Sequence, residues 1–144
     1  GGKGAPLSTQ LAYREGMGLA NAPLTLAGYE GDLVMRYGSE AQKEFFLPGI
    51  ASGEIVDWSQ GFSEPDSGSD LASIQTRAVR DGNDYIVTGH KIWNSDALRA
   101  DWGHYLVRTD QDAPKHRGIS YFIIDMHSPG ITVRPVYDGL GRAR

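Results

Sequence analysis

The chain changes texture at about Gly53, and that change confines it to folds that join a helical segment to a β-rich one. Before Gly53, apolar residues recur at three- and four-residue spacing between helix start and stop signals. Ser8 is placed to cap a helix through Leu11, Ala12, Glu15 and Leu19 that ends near Asn21-Ala22-Pro23. A second helix is expected over Thr25 to Arg36, with Leu26, Tyr29, Leu33 and Val34 as its apolar stripe. It should close on Gly38 at positive φ. Ser39-Glu40-Ala41-Gln42 has the form of a capping box, in which the Ser oxygen and the Gln side chain each satisfy a backbone amide left over at the helix start. The third helix carries Phe45, Phe46 and Leu47 and is expected to break before Pro48, because the residue before proline disfavours the helical region.

After Gly53 the pattern is short strands and turns, consistent with 19 glycines and 7 prolines. Thr76–Arg80 and Tyr85–Thr88 read as strands joined by the hairpin turn Asp81-Gly82-Asn83-Asp84. Lys91-Ile92-Trp93 reads as the start of another. His104–Arg108 and Ile119–Ile124 are the clearest strands, and Ile131–Val136 reads as the last. The implied organisation is a helical piece over residues 1–52 followed by a β-piece over 53–144.

Composition removes several classes of function. The formal charge is 14 − 18 = −4, which argues against a nucleic acid as the main partner, since phosphate neutralisation needs a basic surface. With no cysteine, disulfides and thiolate metal sites are excluded, and a cytoplasmic location is expected. His90, His104, His116 and His127 lack metal-ligand spacing, so no metal is expected. No apolar run approaches the roughly 20 residues of a membrane span. The first residues have no apolar core of the signal-peptide kind. Rossmann and P-loop glycine patterns and a nucleophile elbow are all missing.

The stretch Gly61-Phe62-Ser63-Glu64-Pro65-Asp66-Ser67-Gly68-Ser69-Asp70 is the least ordinary part of the chain. Its composition alone is that of a solvated loop. Taken with Gly89-His90-Lys91-Ile92-Trp93-Asn94-Ser95, however, it closely resembles the signature region of the acyl-CoA dehydrogenases. That family carries [ST]-E-P-x-x-G-S-D, then about twenty residues, then G-x-K-x-W-x-[ST]. The stretches "YGSEAQKEFFLPGIASGEIVDW" and "HRGISYFIIDMHSPGITVRPV" are also similar to the family's flanking helix and strands, so the resemblance extends from about Gly1 to Val136.

The resemblance implies an α+β fold: N-terminal helices, then an antiparallel β-barrel-like middle domain. The family's C-terminal four-helix bundle, with its general-base glutamate, is absent from these 144 residues, so no catalytic residue is assigned and the chain reads as an internal fragment. The resemblance further implies FAD as cofactor and an acyl-CoA substrate oxidised to the trans-2-enoyl-CoA, as in fatty acid β-oxidation. The electron acceptor would be an electron-transfer flavoprotein, and the complete protein a homo- or hetero-oligomer. The alternative is a non-catalytic or truncated subunit that pairs with a complete chain. A third reading, a β-rich binding domain without flavin, must treat both motifs as coincidence.

By the same resemblance Gln60, Phe62 and Ser63 line the isoalloxazine, with the Ser63 hydroxyl donating to its pyrimidine edge. Trp93 packs against the ring system and Ser95 donates near N5. Gly68 lets backbone approach the ligand, and Ser69 lies where cofactor and substrate meet. Glu64 is expected on the flavin's edge. Small hydroxyls and amides suit this place, because a reduced flavin carries negative charge along that edge and needs donors fixed beforehand.

Overall fold

A computed structural model describes residues 4–20, 29–55 and 57–143. The chain divides into two compact units, Gly1–Val56 and Asp57–Arg144.

The first unit contains three helices, α1 (Leu7–Leu19), α2 (Tyr29–Tyr37) and α3 (Glu40–Ser52). Helix α1 is capped by Pro6 rather than Ser8. The ring fixes Pro6 in an extended conformation, and its carbonyl takes the amides of Thr9 and Gln10, so Ser8 falls inside the first turn. The expected end of α1 at 21–23 and the expected start of α2 at 25–28 lie outside the described residues. Gly38 is not at positive φ. It is a glycine for a different reason: a Cβ there would sit 2.6 Å from the Val34 carbonyl oxygen, which accepts the Gly38 amide.

The capping box forms as expected, with Gln42 N donating to Ser39 Oγ and Ser39 N to Gln42 Oε1. The break before Pro48 does not occur, and α3 runs on to Ser52 with Pro48 inside it. A proline interior to a helix forfeits one backbone bond and crowds the preceding turn. Here Phe46, Gly49 and Ile50 on either side of it are buried, and their packing outweighs the local penalty. The helix stops at Gly53, whose φ of 82° is the left-handed cap, and the amides of Gly53, Glu54 and Ile55 all donate to the Gly49 carbonyl.

The second unit is a mixed, open sheet of five strands: β1 (Trp58–Gly61), β2 (Arg77–Asp81), β3 (Asp84–Thr88), β4 (Trp102–Arg108) and β5 (Ile119–Asp125). The β2–β3 hairpin turns at Gly82, whose φ of 61° is the positive value that a tight two-residue hairpin loop needs. Strand β4 is the organising element. Antiparallel β5 covers one of its edges from Trp102 to Arg108. The other edge is shared. Parallel β1 takes Trp102 to Tyr105, and β2 joins at Arg77↔Arg108. The segment 62–76 leaves the sheet in the gap between them. The sheet curls enough for Tyr85 of β3 to meet Phe122 of β5 edge to face, with ring centroids 5.0 Å apart.

Two expected strands do not form. Residues 131–136 join no ladder among the described residues, and Pro135 removes one of the donors a ladder would need. Lys91-Ile92-Trp93 is not a strand either, for a reason given below.

His104 on β4 is 1% exposed and sits against the rings of Phe62 and Tyr121. Burial disfavours its charged form and pulls its pKa from 6.5 to about 4. Between those values the unfolded chain binds the extra proton. The stabilisation is therefore complete above pH 6.5 and lost as pH falls toward 4, a change of about 3 kcal/mol at ~1.4 kcal/mol per unit. Unfolding by denaturant at pH 7.5, 6.0 and 5.0 should show this slope, and His104→Gln should flatten it.

Candidate functional site

The loop that begins at Gly61 is built from the inside. Glu64 and Ser67 exchange backbone bonds (Glu64 N to Ser67 O, 2.7 Å; Ser67 N to Glu64 O, 3.1 Å), which closes a turn over Pro65-Asp66. The Ser67 hydroxyl donates to the Asp70 carbonyl at 2.8 Å. A single 3-10 turn, Leu71–Ser73, follows. The Glu64 side chain then reaches across the loop to the amides of Gln75 (2.6 Å) and Thr76 (2.9 Å). Arg108, from the end of β4, donates to the carbonyls of Ala72 and Ile74. Residues 64–76 are thus a closed unit fastened to β4, not a free loop.

The second motif docks on the first. Lys91 Nζ lies 2.8 Å from Glu64 Oε1 and also donates to the Phe62 carbonyl at 3.3 Å. The Ile92 amide donates to the Ser63 carbonyl at 3.0 Å. The Glu64 and Lys91 side chains are only 6% and 5% exposed. Burial alone would raise the Glu64 pKa. The Lys91 ammonium and the amides of Gln75 and Thr76 overcome it and hold the group at about 2. Burial acts in the opposite sense on Lys91 and lowers its pKa, with Glu64 opposing. Glu64 therefore points into the unit as a fixed carboxylate, its oxygens turned to Lys91 and to the amides of Gln75 and Thr76.

The inward turn of Lys91 explains the missing strand. With Lys91 committed to Glu64 and the Ile92 amide to Ser63, the chain cannot continue a ladder, and it turns at once. Trp93 and Asp96 take positive φ (59° and 62°). The left-handed region is unfavourable for a bulky aromatic, and Trp93 is nevertheless 70% exposed. Asn94, between Trp93 and Ser95, donates to the Tyr105 hydroxyl at 3.3 Å. That hydroxyl also contacts Ser59 Oγ (3.2 Å) and Met126 Sδ (3.3 Å). The Tyr105 ring lies against Gly61 and Gly103, where a Cβ would come within 1.9 Å and 2.3 Å of it.

Of the residues singled out from sequence, Phe62 and Ser63, just past the end of β1, are brought to the 91–95 turn that carries Trp93 and Ser95, and Gln60 lies within β1 opposite His104. Gln60 and Ser95 are exposed, and Phe62 and Ser63 are half-buried. Gly68 is exposed with nothing within 4 Å of a Cβ position, so its close approach is to no described protein atom. Ser69 lines a separate concavity of about 350 Å³ with Asp70, Leu106 and His116. Asp70 pairs with Lys115 at 2.6 Å, which ties this end of the loop to the 110–118 connection, and the Lys115 and Ser73 side chains hold its carboxyl below the usual range.

Sequence reasoning missed Lys91, Asn94, Tyr105 and Arg108. The signal for Lys91 was present, since Lys and Glu are both fixed letters of the two motifs. Tyr105 and Arg108 sit in an ordinary strand pattern and carry no such mark.

Gly89, which opens the second motif, has no room for a side chain. A Cβ would lie 2.2 Å from Thr76 Oγ1 and 2.6 Å from Thr76 Cα, beside the amide that binds Glu64. Gly89→Ala should cost about 1–3 kcal/mol of stability, as overpacking does, read as a lower denaturant midpoint at unchanged slope.

The acyl-CoA dehydrogenase middle-domain family model matches residues 59–144. Acyl-CoA dehydrogenase FadE34 of Mycobacterium tuberculosis is 42% identical over 143 residues, covering 97% of this chain and 20% of its own length. FadE26 of the same organism is 40% identical over 146 residues, covering 98% and 36%. Among solved structures, the ChsE4–ChsE5 complex from Mycobacterium tuberculosis superposes with a TM-score of 0.86 at 40% identity over 99% of this chain and 37% of that one. The Tcur3481–Tcur3483 steroid ACAD gives 0.76 at 45% identity over 79% and 29%. The chain therefore spans well under half the length of each of these proteins. It belongs to the acyl-CoA dehydrogenase family.

Proposed function

We propose that residues 53–144 are the middle β-domain of an FAD-dependent dehydrogenase of acyl-CoA thioesters, and residues 1–52 the end of its N-terminal helical domain. The observation that carries this reading is the convergence at the end of β1. Lys91 and Ile92 fasten the second motif to the first, and the same contacts leave Trp93 outside, on strained backbone. An exposed indole held in an unfavourable conformation by buried neighbours is poorly explained by the stability of the fold and well explained by a ligand face.

The residues present fit a flavin. Ser63 and Ser95 offer hydroxyls that no described residue hydrogen-bonds, on segments whose backbone is already committed elsewhere. The contacts of Ser63, Lys91, Ile92 and Asn94 thus place these two segments before a ligand arrives, which favours stabilising developing negative charge. Trp93 offers a flat, polarisable face, and Gln60 and Phe62 extend the same edge. When bound, FAD supplies the two-electron acceptor for oxidation of an acyl-CoA to its trans-2-enoyl-CoA. In this reading the chain's own residues bind and orient; none of them removes the α-proton. Glu64 is unsuited to that task, because a buried carboxylate with a pKa of about 2 and three donors on it is a poor base. In this reading Gly68 lets backbone approach the cofactor, and Ser69, which lines its own concavity, stands where cofactor and substrate meet.

The acyl group need not be a fatty chain, since one similar structure is a steroid ACAD. Two-component assemblies among the similar structures favour a hetero-oligomer, and the family resemblance, with a similar chain from an electron-transferring flavoprotein structure, favours such a flavoprotein as the electron acceptor. The second reading, a subunit that keeps the fold and pairs with a complete chain, draws on the same assemblies.

Rapid-mixing reduction by fatty acyl- and steroid-CoA substrates tests the assignment. Ser95→Ala should slow flavin reduction by roughly 2–4 kcal/mol of barrier while leaving FAD affinity nearly intact. Trp93→Ala should instead weaken FAD binding. Unchanged rate and affinity in both variants would remove this turn from the site.

A further inference from the structure

We propose that the Glu64–Lys91 ion pair is a positioning device that sets the register of the flavin-facing 91–95 turn against the end of β1. The proposal deepens the flavin reading and rests on it for the identity of the ligand. The pair touches three separate stretches of chain. Glu64 Oε1 and Oε2 bind the amides of Thr76 and Gln75, at the start of β2. Lys91 Nζ binds Glu64 and the Phe62 carbonyl, at the end of β1. Lys91 is itself two residues from Trp93 and four from Ser95. A shift of one residue in the second segment would move the ammonium out of reach of both oxygens and would bring either the apolar Ile92 or the shorter His90 imidazole beside the buried carboxylate in its place. Few packing arrangements punish a slip so sharply, because an unpaired buried charge is costly where a mispacked methyl is tolerated.

Neither residue is directed at a ligand. Both side chains are almost fully buried, and every polar contact described for them is internal. Their effect on a bound flavin must therefore pass through Ser63, Trp93 and Ser95, so they are positioning residues and not catalytic ones. The neighbouring Ile92 N to Ser63 O bond, 3.0 Å long, reports their action directly. It joins the two segments through backbone alone, and it survives only if the register does.

The test uses the full-length protein with Lys91→Met, Glu64→Gln, the double variant, and Val107→Ala as a control. Val107 is fully buried in β4 and belongs to neither motif, so Val107→Ala destabilises the unit without touching the pair. In flavin-free protein, amide hydrogen exchange at Ile92, Gln75 and Thr76 should accelerate at least tenfold in Lys91→Met relative to the β4–β5 amides. Val107→Ala should raise exchange broadly, with no such bias. In the flavin-loaded protein, Lys91→Met should weaken FAD at least tenfold and shift the visible flavin band. Val107→Ala, at a matched loss in Tm, should leave that band in place. The double variant should recover Tm relative to the single variants, since it strands no charge, but not the flavin band. Uniform or unchanged exchange in Lys91→Met overturns the proposal, as does a wild-type flavin spectrum and affinity in that variant. If the unaltered protein takes up no FAD, the flavin reading falls, and the exchange measurement still decides the register claim.

Discussion

Glu64 and Lys91 are oppositely charged groups taken almost wholly out of water, and the backbone at Phe62, Gln75 and Thr76 is arranged to make that tolerable. Removing an ion from water costs several kcal/mol even after relaxation, and attraction to one partner repays it only when the remaining lone pairs are also satisfied. Here they are. Two amides from the start of β2 complete the carboxylate, and the Phe62 carbonyl takes a second proton of the ammonium. Those three backbone groups come from segments that no sheet hydrogen bond joins to one another. The pair therefore does for this region what a ladder does elsewhere. It gives non-adjacent chain a defined spacing.

A second anchor works beside it. The Tyr105 hydroxyl gathers Ser59, Asn94 and Met126, and its ring fills the space left by two glycines on β1 and β4. Asn94 is thus held from β4 while Lys91 is held from the 62–64 segment. Trp93, between them, has its backbone fixed on both sides. Its positive φ is then the remainder of two constraints, and the side chain is left facing outward. Arg108 and the Asp70–Lys115 pair hold the far end of the first motif in the same manner. The exposed Asp70–Lys115 pair adds little stability, as surface pairs generally do, whereas the Arg108 guanidinium gives charged donors to the Ala72 and Ile74 carbonyls, which lie outside the strands.

How much of this the sequence displays depends on how local each cause is. The Ser39 capping box, the Gly82 turn and the strands around His104–Arg108 and Ile119–Ile124 have causes within a few residues, and they are where the pattern puts them. Pro48 is read wrongly because its penalty is local and its compensation, the buried Phe46 and Ile50, is tertiary. Lys91–Trp93 is read wrongly for the same kind of reason. Its β-like composition is real, but a lysine that turns inward to a carboxylate 27 residues away overrules it. The parallel neighbours of β4 are also invisible to periodicity, since β1 is only four residues long and its partner lies more than forty residues downstream. The site residues fared differently. Gln60, Phe62, Ser63, Trp93 and Ser95 came from the resemblance, and geometry brings their two segments together, while the residues that hold those segments went unread.

The choice of an ion pair over an apolar contact at this place has a physical consequence. Well-packed hydrophobic residues of similar volume often replace a buried pair at no loss of stability, so stability alone does not account for it. Apolar contacts are also nearly indifferent to a small slide along their axis, because one methyl serves as well as the next. A carboxylate that must meet two amides and one ammonium has a single satisfactory arrangement. In the proposed reading, a flavin face built on two irregular segments needs that property, since hydroxyls misplaced by about 1 Å lose most of their effect on developing charge. The same reasoning explains why the loop from Gly61 to Asp70 has the composition of a solvated turn yet is closed throughout. Glu64, Ser67 and Asp70 hold it through internal contacts and Gly61 makes room for the Tyr105 ring, while Ser63, Gly68 and Ser69 are the groups that the proposed reading turns to a ligand.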